Sequence, residues 1–201
     1  MTERRPADPV TLRRRRAVAL SGFAGDEAGA RGGLDDPQPA VRCAALSALD
    51  RLGALDSASL RAALADPEAE VRARAAELSA GRSDVDLREA LSDDDPRVVE
   101  AAAWACGEGP SPDAGVVSRL CELATGHREA QCRETAVAAL GSIGHEAGLA
   151  AVLAATADRA TVRRRAVVAL AAFSGPEVDE ALERAAGDRD RQVRQAAEDL
   201  R

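Results

Sequence analysis

Residues 36–53 read DPQPAVRCAALSALDRLG, and residues 160–173 repeat the same pattern as ATVRRRAVVALAAF. In both stretches a Val followed by Arg precedes a run of Ala, Val and Leu. Seven stretches of this kind occur along the chain, and their first apolar residues lie 29, 30, 27, 34, 30 and 31 residues apart. These anchor residues are Leu12, Val41, Val71, Val98, Cys132, Val162 and Val193. Such a regular spacing is typical of a solenoid built from helical repeats.

Each repeat contains two apolar segments with helical periodicity, separated by a turn. Counting from the anchor, positions 0, 3, 4, 7 and 8 share one face of a helix and are mostly Val, Ala and Leu. A second helical segment precedes the later anchors, for example DVDLREALSD at residues 84–93. In the turns, Asp36-Pro37, Asp66-Pro67 and Asp95-Pro96 each suggest an Asp N-cap followed by Pro at the first helical position. We therefore predict helix A, a turn and helix B in every repeat.

The composition agrees with stacked helices. Apolar residues make up 46% of the 201 residues but aromatic residues only 1%, so the helices must pack through small side chains. One repeat buries too little surface to be stable alone, and its neighbours must share its core. The sequence predicts an all-α, right-handed α-solenoid of about seven helical hairpins over residues 1–201. Residues 1–21 would form an N-terminal capping repeat and residues 191–201 a C-terminal capping helix.

The pattern DPxPxVRxAAxxAL resembles the short HEAT-like repeats first recognised in phycobilisome lyases. This resemblance covers nearly the whole chain. It implies a superhelix whose concave face is formed by the B helices. Most proteins with such repeats bind other proteins and a minority are enzymes, so the resemblance implies a non-catalytic scaffold or adaptor in the first place.

An Arg follows the anchor in six repeats, and Val99 takes this position in the fourth. The position lies at the edge of the core face, where a guanidinium can bond turn carbonyls and carboxylates. Candidate carboxylates are Asp36, Asp66, Asp158 and Asp190. In similar repeats such a ladder is structural, and we assign that role to Arg42, Arg72, Arg133, Arg163 and Arg194. The alternative interpretation is a stripe of Arg that binds an acidic partner or phosphates.

Trp104 is the single Trp of the chain and lies at position +6 of its repeat, away from the core face. A lone Trp on the B-helix surface is typical of a binding hot spot, although it could also pack against a neighbouring helix. Glu100 and Glu134, at position +2, would flank it. Arg14 and Arg164, from the Arg-rich first and sixth repeats, are the remaining candidates for protein binding. The expected partner is another protein with a basic or amphipathic segment.

No cofactor or metal is expected from the residues. Cys121, His127 and Cys132 have a spacing that matches no known zinc motif. His145-Glu146 is a single His-Glu pair, whereas the HEAT-like deoxyhypusine hydroxylases bind two irons through several. The runner-up function is nevertheless an enzyme of the HEAT-like lyase or hydroxylase type. Two of the cysteines, Cys106 and Cys132, fall at core positions and are interpreted as buried structural residues.

The formal charge of −7 and the pI near 5.0 argue against a general binder of nucleic acid or anionic membranes. A nucleic-acid binder acting through the Arg-rich repeats is the third alternative. The apolar run at residues 17–25 is broken by Ser21 and Gly22, so we expect a cytoplasmic protein without a signal peptide or membrane span. All basic residues are Arg, which suggests a GC-rich genome and fits a halophilic source.

Overall fold

The computed structural model describes residues 8–109 and 113–200. Within these residues the chain forms twelve α-helices and three short 3₁₀ turns, and it has no strands. The predicted all-α solenoid class is confirmed. The Cα positions divide the chain between Ser79 and Ala80 into two compact units, which are described separately.

The first unit contains five helices. In chain order they are α1 (Pro9–Ala24), α2 (Glu27–Arg31), α3 (Pro39–Arg51), α4 (Ser57–Leu64) and α5 (Ala69–Leu78). Helices α1, α3 and α5 are B helices that pack in succession, while α2 and α4 pack on them as short A helices. A Cβ added to Gly22 would lie 2.8 Å from the Cα atom of Ala48. Glycine at this position therefore allows α1 and α3 to approach closely.

The register of α1 differs from the prediction by one residue. Leu12, the predicted anchor, is 47% exposed, whereas Thr11 is buried. Helix α1 presents its small residues Thr11, Ser21 and Gly22 to the protein interior, and these permit a closer helix approach than Leu would. With Thr11 as the anchor, Arg13 no longer follows it directly and does not occupy the ladder position.

The second unit contains seven helices. These are α6 (Pro96–Gly107), α7 (Ala114–Gly126), α8 (Ala130–Ile143), α9 (Leu149–Ala155), α10 (Ala160–Ala169), α11 (Pro176–Ala186) and α12 (Arg191–Glu198). Helices α6, α8, α10 and α12 are the B helices and pack in succession. Helices α7, α9 and α11 are the A helices of the last three hairpins, and each packs on the B helix that follows it.

The A helix predicted at residues 84–93 does not form an α-helix. The segment consists of turns and ends in the 3₁₀ turn Ala90–Ser92. The carboxylate of Asp86 accepts the backbone N–H of Arg88 at 3.0 Å and its guanidinium at 2.6 Å. This local side-chain bonding competes with helical hydrogen bonds. The apolar residues of the segment are buried all the same, at Val85, Leu87, Ala90 and Leu91.

The turns before the B helices depart in part from the predicted capping. Asp95 and Pro96 are the N-cap and first residue of α6, as expected. Helix α3 begins later, at Pro39, and α5 begins at Ala69. The Asp36 and Asp66 carboxylates therefore lie within turns, where each accepts the N–H two residues further on, at 2.8 and 2.9 Å.

No helix among the described residues combines the length and the apolar character that spanning a membrane requires.

Candidate functional site

Three hydrogen bonds from one Arg side chain join two successive turns of the first unit. Nε and Nη2 of Arg42 donate to the two carboxylate oxygens of Asp66 at 2.8 and 2.7 Å. Nη1 donates to the carbonyl of Asp36 at 2.8 Å. This forked geometry matches the planar guanidinium to the planar carboxylate. The two turns, which lie one repeat apart, are thereby linked through a side chain that is only 12% exposed.

The second unit repeats this arrangement twice. Arg133 donates to both oxygens of Asp158 at 2.6 and 2.8 Å, and Arg163 to both oxygens of Asp188 at 2.8 and 2.7 Å. Arg163 is 6% exposed. We call these three forked pairs the Arg ladder: Arg42–Asp66, Arg133–Asp158 and Arg163–Asp188.

Arg72 and Arg194, also assigned to the ladder, donate to turn carbonyls. Nη1 of Arg72 bonds the carbonyl of Asp66 at 2.8 Å, and Nη1 of Arg194 bonds that of Asp188 at 2.7 Å. The prediction that Asp190 accepts a hydrogen bond from a ladder Arg is wrong. Its carboxylate accepts the N–H of Gln192 at 2.8 Å as the N-cap of α12. The residue that lies within the turn, as Asp66 does, is Asp188.

The ladder charges stabilise one another. Hydrogen bonds from Arg133 and Arg163 lower the pKa of Asp158 and of Asp188, respectively. For Asp66, burial is the largest single influence and raises the pKa, but the hydrogen bonds from Arg42 and from the backbone N–H of Glu68, together with the charges of Arg42 and Arg72, outweigh it and the pKa is lowered. These carboxylates are ionised at neutral pH. The guanidinium groups that face them already have anionic partners, which argues against a role in binding phosphates.

Trp104 lies on the surface formed by the B helices of the second unit. It belongs to α6 and is 45% exposed. The equivalent positions of the next two B helices are Ala138 on α8, which is partly buried, and Val168 on α10, which is 48% exposed. Because α6, α8 and α10 pack in succession, Trp104, Ala138 and Val168 form an apolar line across three helices, here called the B row.

The two acidic candidates lie one helical turn before the B row. Glu100 precedes Trp104 by four residues, and Glu134 precedes Ala138 by four, so each shares a helix face with the row. Oε1 of Glu100 accepts a hydrogen bond from Nε2 of Gln131 at 3.1 Å. Oε1 of Glu134 is 3.6 Å from Nη2 of Arg165. Both carboxylates therefore connect adjacent B helices and flank the row.

The two Arg candidates differ in their surroundings. Arg164, which is partly buried, precedes Val168 by four residues and is thus the counterpart on α10 of Glu100 and Glu134. Arg14 belongs to the first unit, and its Nε atom is 3.3 Å from a carboxylate oxygen of Asp36. Val168 was not predicted as a site residue. The sequence signal that could have identified it is an apolar β-branched residue at position +6, which points away from the core.

Two of the cysteine thiols are buried, and both histidine rings cap turns. Burial raises the pKa of the Cys106 and Cys132 thiols to about 11, so both are protonated at neutral pH and poor nucleophiles. The ring nitrogens of His127 and His145 accept backbone N–H groups at 3.1 and 3.2 Å and cap turns. In the parts of the chain that the structure describes, no three His, Cys, Asp or Glu side chains are grouped to hold a metal ion.

A family model described as HEAT repeats matches residues 117–201, and solved armadillo repeat proteins share the fold over nearly the whole chain. Residues 117–201 carry HEAT repeats, and the chain has a HEAT-like repeat fold. The hairpins α9–α10 and α11–α12 fall within the matched residues, and the hairpin α7–α8 does so from Val117 onward. No curated protein matches this HEAT-like chain.

Three solved structures illustrate the likeness of this HEAT-like protein to known folds. YibA of Escherichia coli has a TM-score of 0.61 and 16% identity, covering 97% of this chain and 75% of that one. Human deoxyhypusine hydroxylase in complex with glycerol has a TM-score of 0.50 and 24% identity, covering 96% and 79%. A designed armadillo repeat protein in complex with the peptide (KR)4 has a TM-score of 0.52 and 18% identity, covering 95% and 90%. At these identities the likeness establishes the fold alone.

Proposed function

We propose that this HEAT-like protein is a non-catalytic scaffold or adaptor and that the B row binds a segment of another protein. The observation that carries the proposal is Trp104, a large aromatic side chain left 45% exposed with Val168 in the same line. Aromatic residues at the centre of an interface contribute much of its binding energy when a partner excludes water from them. Small neighbours such as Ala138 leave room for a partner side chain beside the indole ring.

The charges beside the B row favour a partner segment that is basic as well as apolar. Glu100 bonds a neutral amide, so its negative charge is not neutralised by that contact. Glu134 is paired with Arg165 at 3.6 Å and its side chain is 15% exposed, so it adds negative charge beside the row. A Lys or Arg of the partner could reach Glu100 while an apolar side chain contacts Trp104. A designed armadillo repeat protein in complex with the peptide (KR)4 shares the fold, which lends support to this kind of recognition.

The enzyme alternative has a narrower basis. Deoxyhypusine hydroxylase shares the fold at 24% identity. In this chain the one His-Glu pair is at His145, whose ring nitrogen accepts the N–H of Ala147 at 3.2 Å. A scaffold role leaves that capping bond in place. Metal analysis of the purified protein distinguishes the two functions.

The single Trp makes the test direct. We would capture partners from a lysate of the source organism at its native salt, comparing the wild type with Trp104→Ala. Val10→Ala is the matched control because Val10 is 48% exposed but lies in the first unit. We expect the wild type and the Val10 variant to retain a partner that the Trp104 variant loses. With the purified partner, Trp fluorescence should shift to shorter wavelength as the indole ring is buried.

Two results would contradict the proposal. One is a partner that binds Trp104→Ala as tightly as wild type and leaves the Trp fluorescence of the wild-type protein unchanged. This result would place the binding surface elsewhere. An absence of partners, together with stoichiometric metal in the purified protein, would favour the enzyme.

A further inference from the structure

Helix α1 is unusually apolar on its solvent side. Of the seven large apolar side chains that are exposed in the described chain, four belong to α1. They are Val10, Leu12, Leu20 and Phe23, and Phe23 is the most exposed at 72%. The opposite side of the helix packs on α3 through small residues such as Gly22. The exposed apolar residues are therefore not needed for the packing of α1 on α3.

Three of these side chains share one face of the helix with two Arg residues. Leu12, Arg13, Arg16, Leu20 and Phe23 fall within an arc of about 100° on a helical wheel. We call this set the α1 stripe. Its apolar members Leu12 and Leu20 are 47% and 52% exposed. From Leu12 to Phe23 the stripe extends about 16 Å, or three helical turns.

The stripe is basic. Helix α1 contains no Asp or Glu, and the guanidinium of Arg51 on α3 lies 4.1 Å from the ring centroid of Phe23. The carboxylates at the two ends of the helix are engaged. Asp8 accepts the N–H of Thr11, and Asp26 accepts bonds from Ser21 and Gly29. A cationic and apolar patch thus stands on a chain with a formal charge of −7.

We propose that the α1 stripe docks an acidic amphipathic helix from another protein. Apolar side chains of that helix would pack between Leu12, Leu20 and Phe23. Its Asp or Glu residues would face Arg13, Arg16 and Arg51, giving complementary charge along the contact. Packing of an amphipathic helix against an apolar helix face about three turns long is a common mode of recognition. This surface and its partner are separate from the B row, so an adaptor role would gain a second binding site.

Other occupants suit the stripe less well. A symmetric pairing of two α1 helices would bring Arg13 and Arg16 of both copies into one contact, and α1 has no Asp or Glu to balance them, so like-charge repulsion opposes it. Nucleic-acid binding would use aromatic faces for base stacking, but one face of Phe23 is covered by Arg51. Membrane-surface helices separate their basic and apolar residues onto different faces, whereas here they alternate on one face.

The test uses the full-length protein and two synthetic probes of about 14 residues. One is a labelled helical peptide with Leu on one face and Glu on the flanks, and the other has Lys in place of every Glu. Fluorescence anisotropy should show binding of the Glu peptide only, and added salt should weaken it. The double variant Arg13→Glu/Arg16→Glu should weaken binding by about tenfold or more. Arg15→Glu is the matched control for the single variant Arg16→Glu, because both reverse one charge on α1 and only Arg16 lies in the stripe, and Arg15→Glu should bind within about twofold of wild type.

A second variant tests the apolar part of the stripe. Leu20→Ser/Phe23→Ser should also lose the Glu peptide, and circular dichroism should show an unchanged helix content because both side chains are exposed. Trp104→Ala should bind the Glu peptide like wild type, so failure of the B-row proposal and failure of this one are distinguishable.

Several results would overturn the proposal. One is a failure of the wild type to bind the Glu peptide, and another is equal binding by the Arg13→Glu/Arg16→Glu variant. Binding to vesicles containing phosphatidylserine, without peptide binding, would assign the stripe to a membrane surface. Concentration-dependent self-association that Phe23→Ser abolishes would assign it to a second copy of the chain.

Discussion

Two parts of the second unit are built differently. In the hairpins from α7 to α12, an A helix precedes every B helix, and forked pairs such as Arg163–Asp188 join the turns. In residues 80–109, turns replace the A helix, and Val99 stands where α8, α10 and α12 have the Arg of position +1. Val99 is 1% exposed. A buried apolar side chain thus takes the place of a buried ion pair.

The irregular part is also the part that carries Trp104. In the regular hairpins, the equivalent outward positions hold the smaller side chains of Ala138 and Val168. Departures from local rules often accompany functional residues, because selection there acts on binding rather than on stability. The comparison suggests that the ladder hairpins provide rigidity and that α6 contributes the main contact. The four experiments below challenge or refine that contrast.

The largest effect is expected from removing a core leucine in each part. Leu140 in α8 and Leu91 in the 3₁₀ turn are both fully buried. Leu140→Ala should lower the free energy of unfolding by about 3–4 kcal/mol, because regular helices collapse poorly around a cavity. Leu91→Ala should cost about 2 kcal/mol, since a segment held by turns can relax into the space. Denaturant unfolding of both variants measures the difference, and equal costs would remove the proposed contrast in rigidity.

Loss of a ladder Arg should come next. Arg163→Leu leaves the carboxylate of Asp188 without its forked partner in a mostly buried site, and it should lower the free energy of unfolding by about 2–3 kcal/mol. Arg164→Leu is the control, because it removes the same charge from the adjacent residue without breaking a forked pair. Urea denaturation of the two variants gives the comparison. If both variants lose the same free energy of unfolding, Arg163 would stabilise the fold through its charge rather than through its forked bond to Asp188.

Acid should remove the stabilisation that the ladder provides. The pKa values of Asp66, Asp158 and Asp188 are lowered in the folded chain. Their contribution to stability is therefore fully present above the unfolded pKa, near about 4, and is lost as the pH falls through the folded value. Thermal unfolding between neutral pH and about pH 3 should show a decline that is shallower in Asp188→Asn. A variant curve parallel to that of the wild type would contradict this assignment.

The sequence predicted the elements that depend on periodic pattern. The anchor spacing located the B helices, and the residue type at position +1 identified Arg42, Arg133 and Arg163, whose forked bonds are seen in the structure. The exact carboxylate was harder to predict. Choosing between Asp188 and Asp190 required the start of α12, and helix boundaries depend on a balance of local capping bonds.

Two other differences arise from interactions that periodicity does not encode. The segment at residues 84–93 keeps an apolar pattern suited to a helix, but the local bonds between Asp86 and Arg88 favour a turn. In α1, close packing selected the small residue Thr11 over Leu12 as the buried anchor. That shift of one residue also left Leu12 on the exposed side of the helix.

The smallest expected effect on stability belongs to Trp104→Ala. Trp104 is 45% exposed, and the buried face of α6 is formed by other residues, such as Val98 and Ala102. We expect a loss of less than about 1 kcal/mol, because surface substitutions change stability little, together with complete loss of partner binding. Chemical denaturation and partner capture with the same preparation measure both. A large destabilisation with binding retained would make Trp104 a packing residue of the irregular repeat, and the regular hairpins would then have to supply the binding surface.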